Sequence, residues 1–341
     1  EKINDQPDPD SVAGTLYILT SAGPTKGDDS VSEIYTEIEI PVLANVSMAK
    51  ELTINGSYRY TDYDSYGSDD TYKIGFVYAP VKWLSFRATK GTSFRAPALF
   101  EQFQGATTGF LSSSDDPCNG YDEGGVDANI AANCALDLNN EPEFQNKNGV
   151  KVINAGGAAA GLFAETSENT TYGVIFEPVI SDTTELSFAV DYFDIQIDNG
   201  VQQAGDTEIL GRCYASANDF KDHTGLCRLV SRDPADKSLT VLDSYTNLST
   251  EISKGWDFDA RVQQEIGAGK LLVNLSATHY TSQKSKIFKE DPLLEQNGWF
   301  EMPKWSGTGD ISYSINSWRF TYGVEWIGEM EGYTYVEEDP K

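Results

Sequence analysis

The sequence predicts an all-β protein, an antiparallel transmembrane barrel wall of about ten strands. Three observations predict it. Apolar and polar residues alternate over one segment after another, the period of a strand whose two faces meet different surroundings. Tight turns and long polar excursions take turns between those segments. Aromatic residues make up 12% of the chain, yet mean hydropathy is −0.40 and no run approaches the roughly 18 apolar residues that a membrane helix needs. Any crossing of a membrane therefore falls to strands.

Along the chain, the opening "EKINDQPDPD" has no start methionine, no basic stretch and no apolar core. It reads as an internal piece or a processed product rather than a signal peptide. A first, less tidy strand is expected at about 30 to 42. In "ELTINGSYRYT", Leu52, Ile54, Tyr58 and Tyr60 share one face, and Thr53, Asn55, Ser57, Arg59 and Thr61 share the other. Tyr72, Ile74, Phe76 and Tyr78 then oppose Thr71, Lys73 and Gly75, and Leu84, Phe86 and Ala88 oppose Ser85, Arg87 and Thr89.

That last strand runs into "KGTSFRAPALF", where the alternation stops. Pro97 has no N–H for further pairing, so the strand is expected to leave the bilayer there. Phe94, Leu99, Phe100 and Phe103 would pack the root of a loop over about 94 to 164, with Arg95 in reach of acidic partners. A further strand is expected at about 165 to 179, then one carrying Leu186, Phe188, Val190 and Tyr192. The second loop, about 198 to 249, contains "DTEILGRCYASANDF" (206 to 220), whose acidic start and helically spaced Ile209, Leu210 and Tyr214 predict a short helix. Strands return with Trp256, Phe258, Ala260 and Val262, and with Leu271, Val273, Leu275 and Ala277. After a third loop, about 281 to 299, come a segment at about 300 to 315 and the closing run Trp318, Phe320, Tyr322, Val324 and Trp326. The tight turns are "APVKW", "PVISDTT", "IGAGK" and "INS".

A soluble β-sandwich would alternate as well. Lipid is favoured because the apolar faces carry Tyr60, Trp256, Trp318 and Trp326 near strand ends, where interfacial girdles stand, while the opposite faces carry Arg59, Lys73, Arg87, Asp257 and Glu325, suited to a polar lumen.

Charge and chemistry narrow the function. With 53 acidic and 25 basic residues the formal charge is −28, which repels phosphate backbones and sets nucleic-acid partners aside. His223 and His279 stand in no Gly-x-Ser-x-Gly or His-Glu-x-x-His context, so no catalytic set is expected, and no cofactor is implied. Cys118 with Cys134, and Cys213 with Cys227, bracket turn-rich segments and read as two local disulfides worth about 3 kcal/mol each in an oxidising compartment. Reduced thiols or a metal site is the other reading, with no Cys-x-x-Cys spacing behind it. The acidic runs "DYDSYGSDD" (62 to 70) and "SSSDDPCNGYDEGGVD" (112 to 127) raise calcium, but their spacing fits no EF-hand and a solvated loop is favoured.

"YRYTDYDSYGSDDTYKIGFVYAP", then "YAPVKWLSFRAT" leading into "SFRAPALFEQF", resembles the barrel of TonB-dependent outer-membrane receptors. "ETSENTTYGVIFEP", "LSFAVDYFDIQIDNGV" and "GWDFDARVQQ" follow in the family's order, so the resemblance covers about residues 30 to 330. It implies a piece of a larger barrel of roughly 22 strands in the outer membrane of a Gram-negative bacterium. It also implies a plug domain within the same full-length protein and a TonB complex reached through an amino-terminal region not seen here. The polar ending "YVEEDPK" differs from the terminal aromatic strand expected of such barrels, so the whole of residues 1 to 341 reads as one partial barrel domain.

The function implied is active uptake of a scarce ligand, a siderophore-iron complex, cobalamin or an oligosaccharide, with no bond chemistry. Arg95, Gln102, Tyr121 and Trp299, polar or aromatic and near the long loops, are the candidates for ligand contact. Two other readings fit parts of the pattern: a passive porin-like channel, and a soluble secreted carbohydrate-binding sandwich.

Overall fold

The computed structural model describes residues 1–16 and 20–332. The alternating segments form one antiparallel sheet whose main path is β1 (Val31–Val46), β2 (Ala49–Tyr63), β3 (Gly67–Val81), β4 (Leu84–Arg95), β5 (Glu165–Phe176), β6 (Thr184–Gln202), β7 (Thr246–Ile266), β8 (Gly269–Lys286), β9 (Trp305–Ile315) and β10 (Trp318–Ile327). Each strand pairs with the next in sequence, an up-and-down meander. Among the described residues β1 and β10 pair with no partner on their outer edges, so the sheet is an open arc of barrel wall. The ending "YVEEDPK" lies outside the described residues.

Register turns the alternation into faces. Tyr192 stands between Tyr172 and Trp256, Val190 between Val174 and Phe258, and Phe188 between Phe176 and Ala260. Apolar side chains thus form continuous rows across the wall. Among the described residues no second layer covers this face: Tyr172 is 46% exposed and, on β10, Trp318 and Tyr322 are each 69% exposed. A sandwich would bury this face against a second sheet, whereas a bilayer supplies the cover from outside.

At one end the connections are tight: 47–48, 82–83, 177–183, 267–268 and 316–317. Met48, Gly267 and Asn316 there take positive φ, as tight hairpins require. At the other end stand 96–164, 203–245 and 287–304, and residues 1–30 precede β1 at that same end. The segregation expected from sequence has one exception, because β2 and β3 join through the short turn 64–66 at the long-loop end. The strands also run further out than expected, β6 to Gln202, β7 from Thr246 and β8 to Lys286. They keep pairing above the apolar belt, where polarity no longer marks them. At Gly200 the register shifts, and an added Cβ would stand 2.1 Å from Ser249 Oγ, so a larger residue there would require the Ser249 hydroxyl to turn away.

The buried core lies not in the wall but in the loops. Cys118, Tyr121, Cys134, Leu138, Phe144, Val150, Val152, Ile209, Leu210, Cys213, Tyr214, Val230, Leu239 and Val241 pack together, with Phe288 added from the third loop. Around them a small sheet orders Val230–Arg232, Leu239–Ser244, Val150–Ala155 and Thr107–Leu111, its central pair parallel and the outer pairs antiparallel. The amino-terminal segment joins it, Ala22 bridging to Thr107 and the Ser21 N–H donating to Thr108 Oγ1 at 2.6 Å. The expected helix over 206 to 220 is two, Asp206–Ala215 and Ala217–Asp222. Ser216 divides them, its hydroxyl accepting from the Asp219 N–H as the second helix's cap.

Candidate ligand-binding surface

The loops form a crown over the mouth of the wall, and two disulfides fasten it. Cys118 joins Cys134, tying a turn to helix Ala128–Asp137, and Cys213 joins Cys227, tying helix Asp206–Ala215 to the 3-10 turn Gly225–Leu229. Between them lies a buried ion set. Arg232 donates to both oxygens of Asp116 at 2.8 Å and to Asp137 Oδ2 at 2.6 Å, with the arginine side chain 1% and the Asp116 side chain 0% exposed. The Tyr214 hydroxyl donates to the same Asp137 oxygen at 2.6 Å, and burial pushes that phenol well above its usual range, so it stays a neutral donor. Burial works against the Arg232 charge, yet its hydrogen bonds to Asp116 and Asp137 hold it fully protonated.

A second arginine fixes the crown to the wall. Arg95, the last residue of β4, makes paired hydrogen bonds to Glu165 at the start of β5, both at 2.7 Å, and to Glu101 at 2.9 and 3.0 Å. Glu165 also accepts from the Val201 N–H of β6 at 2.7 Å, and Glu101 accepts from the Ala98 N–H at 2.6 Å as the helix Leu99–Phe103 begins. One guanidinium thus locks three strand ends and the first turn of the loop.

Below the mouth, the lumenal face is acidic. Arg87 forks onto Asp191 at 2.7 and 2.6 Å, and Gly173 beside it leaves the space, since a Cβ there would stand 2.0 Å from Asp191 Oδ1. Thr278 donates to Asp257 at 2.6 Å and Asn274 to Asp310 at 3.1 and 3.2 Å. Arg87, Asp191, Asp257 and Thr278, with Asp259 and Glu325, line a cleft of about 600 Å³.

The four contact candidates stand apart. Arg95 is the clamp just described. Gln102 is buried and its Nε2 donates to the Pro97 carbonyl at 2.9 Å. Tyr121 belongs to the crown's core, its hydroxyl donating to the Glu141 carbonyl at 3.0 Å. Trp299 is half-buried in the third loop, with a backbone bridge to Glu331. The structure brings only Arg95 and Gln102 into one neighbourhood, at the root of the first loop. In the run 112 to 127, expected to be solvated, Asp116 is instead buried against Arg232, while the exposed Asp122 accepts from the Glu143 N–H and the exposed Asp127 caps helix Ala128–Asp137. Among the described residues no three His, Cys, Asp or Glu side chains converge to hold a metal ion. Arg232 and Asp137 carried no signal in the sequence. The crown's strands Val150–Ala155 and Leu239–Ser244 fall in segments expected to be loops; the short alternations Val150, Val152 and Leu239, Val241 are the signal that could have found them.

The profile of the family described as "TonB dependent receptor-like, beta-barrel" matches residues 3–340. The chain belongs to the TonB-dependent receptor family. Solved structures agree on the fold. The ferric enterobactin receptor of Pseudomonas aeruginosa, as a mutant in complex with enterobactin, superposes with TM-score 0.54 at 14% identity, over 89% of this chain and 33% of that one. Another mutant of that receptor gives TM-score 0.53 at 13% identity, over 88% and 32%. This chain therefore spans about a third of the length of the receptors it matches. Comparison with curated proteins finds no match. As in the rest of the TonB-dependent receptor family, the apolar belt faces the lipid of a Gram-negative outer membrane, the tight turns lie on the periplasmic side and the crown lies outside the cell.

Proposed function

We propose that this chain is part of a receptor that takes up a scarce ligand by TonB-coupled transport, with a plug domain of the same full-length protein filling the lumen beside the Arg87 and Asp191 wall. The observation that carries the reading is the crown. Two disulfides, a buried ion set and the Arg95 clamp prebuild the surface over the mouth, and preorganisation is what capture of a dilute ligand needs. A passive pore has no use for such a roof. Siderophore-iron complexes, cobalamin and oligosaccharides are the ligand classes in view. Arg95, Gln102, Tyr121 and Trp299 are the contacts proposed for test, and for Arg95 the readout must separate ligand contact from loss of its clamp on Glu165 and Glu101.

The test is uptake by cells carrying the full-length receptor, with ferric enterobactin, cobalamin and a maltooligosaccharide as probes, in the presence and absence of TonB. Saturable uptake of one probe that ceases without TonB supports the proposal. Uptake of any probe that continues unchanged without TonB makes the protein a pore.

A further inference from the structure

The lumenal face changes character just below the crown. Register places Asp191, Asp257, Thr278 and Ser306 in one row across the wall, with Ala189, Asp259, Ser276, Thr308 and Glu325 in the row beneath it. One row nearer the crown stand Phe193, Gly255 and Tyr280; beyond them come Ile195 with Ser253 and Gln283, then Ile197 with Glu251 and Ser285. The polarity of β6 inverts at this step. Below it, Phe188, Val190 and Tyr192 face outward; above it, Asp194, Gln196 and Asp198 face outward, and Phe193, Ile195 and Ile197 face the lumen. A water-filled lumen calls for polar side chains, yet Phe193, Ile195, Ile197 and Tyr280 are apolar or aromatic and only half-buried.

Gly255 makes the room for this shelf. A Cβ there would stand 2.7 Å from the Phe193 ring; without one, that ring lies over β7 and meets Tyr280 edge to face, the centroids 5.8 Å apart. Phe193 borders the acidic cleft below, and Tyr280, with Ile195, Ile197 and Met302, borders a recess of about 440 Å³ above. Charge on this face has one sign. From the Arg87 row to the crown, the lumenal face of β4 to β10 holds, among the described residues, no lysine and two arginines, Arg87 and Arg95. Both are forked onto carboxylates. Asp257 and Asp259 accept from the neutral Thr278 and Ser276 hydroxyls, and the Glu251 and Glu325 side chains have no partner among the described residues.

We infer that the transported ligand carries no net negative charge, lays an apolar face on Phe193 and Tyr280, and turns hydrogen-bond donors or a positive charge to Asp257, Asp259 and Glu251. This rests on the reading of the chain as part of a TonB-coupled receptor and narrows its ligand class. A cleft lined by one sign of charge concentrates the opposite sign and depletes its own. Arginines already forked onto carboxylates offer no free fork to an anionic ligand. Aromatic rings take apolar surface and attract cations to their faces. The shelf stands one to three rows nearer the crown than the Arg87 and Asp191 row, on the side from which a ligand arrives.

The test is uptake by cells carrying the full-length receptor, with and without TonB, of probes that differ in charge: ferrioxamine B, cationic; ferrichrome and cobalamin, neutral; ferric enterobactin and ferric dicitrate, anionic. TonB-dependent uptake confined to cationic or neutral probes is expected. Two variants then locate the contact with the probe taken up, Phe193→Ala and the pair Glu251→Gln with Asp257→Asn. Heat-modifiable migration on gels checks that each barrel is folded. Each folded variant is expected to raise the KM of uptake by about tenfold while uptake at saturating probe is kept, which a merely misassembled wall would not do. TonB-dependent uptake of either anionic probe overturns the inference and leaves the transport reading standing, as does an unchanged KM in both folded variants. No TonB-dependent uptake of any probe overturns the transport reading and this inference with it.

Discussion

A single guanidinium, that of Arg232, joins both halves of the crown: Asp116 and Asp137 come from the first loop, and Tyr214 and the Lys237 carbonyl from the second. Removing it would leave the fully buried Asp116 carboxylate without its countercharge, beside the partly exposed Asp137. Arg232→Ala is therefore expected to destabilise the crown by about 3–5 kcal/mol, read as protease cleavage within 96–164 and 203–245 on the intact receptor. Adding Asp116→Leu to Arg232→Met removes the fully buried pair and leaves only Asp137, which is partly exposed and keeps the Tyr214 hydroxyl, so it should restore much of the resistance. Equal resistance in Arg232→Ala would show that the ion set is incidental. None of this was legible in the sequence, because an arginine and two aspartates separated by about a hundred residues look the same whether solvated or paired. Arg95 was half legible. Its place beside Pro97 marked the boundary of the wall, and its clamp partner Glu101 lies within the same motif, but Glu165 lies 70 residues on.

Strands and loops were read by different signals and with different success. The wall could be read because lipid on one side and lumen on the other impose period two on every strand, and all ten were placed. Their outer ends could not, since above the belt both faces are polar. Neighbouring residues test the faces directly: Leu275 points to lipid, and Ser276, next in the chain, donates to the lumenal Asp259. Leu275→Arg should cost about 2–4 kcal/mol in urea unfolding of the receptor in lipid vesicles. Ser276→Arg, placed among carboxylates, should cost far less. Equal costs would remove the assignment of faces. For the loops, replacing Cys118 and Cys134, or Cys213 and Cys227, by serine should each lower crown stability by about 3 kcal/mol. The effect would be seen as faster hydrogen exchange between the paired positions, with exchange in β6 and β7 unchanged.

At the scale of the molecule, the arc ends, among the described residues, in two unpaired edges, β1 and β10. Unsatisfied backbone groups in hydrocarbon cost several kcal/mol each, so residues 1–341 expressed alone should aggregate rather than give a heat-modifiable monomer. A soluble, cooperatively unfolding monomer would speak for a sandwich instead. The central claim is that the wall spans the outer membrane with its crown outside the cell, and one measurement addresses it most directly. An epitope is inserted into the full-length receptor within the exposed turn 233–237 of the second loop, or within the tight turn 267–268, and antibody binding is measured on intact and on permeabilised cells. The account predicts that intact cells bind antibody through the epitope at 233–237, and that the epitope at 267–268 is reached only after permeabilisation. Labelling of both on intact cells, or of 267–268 alone, would contradict it.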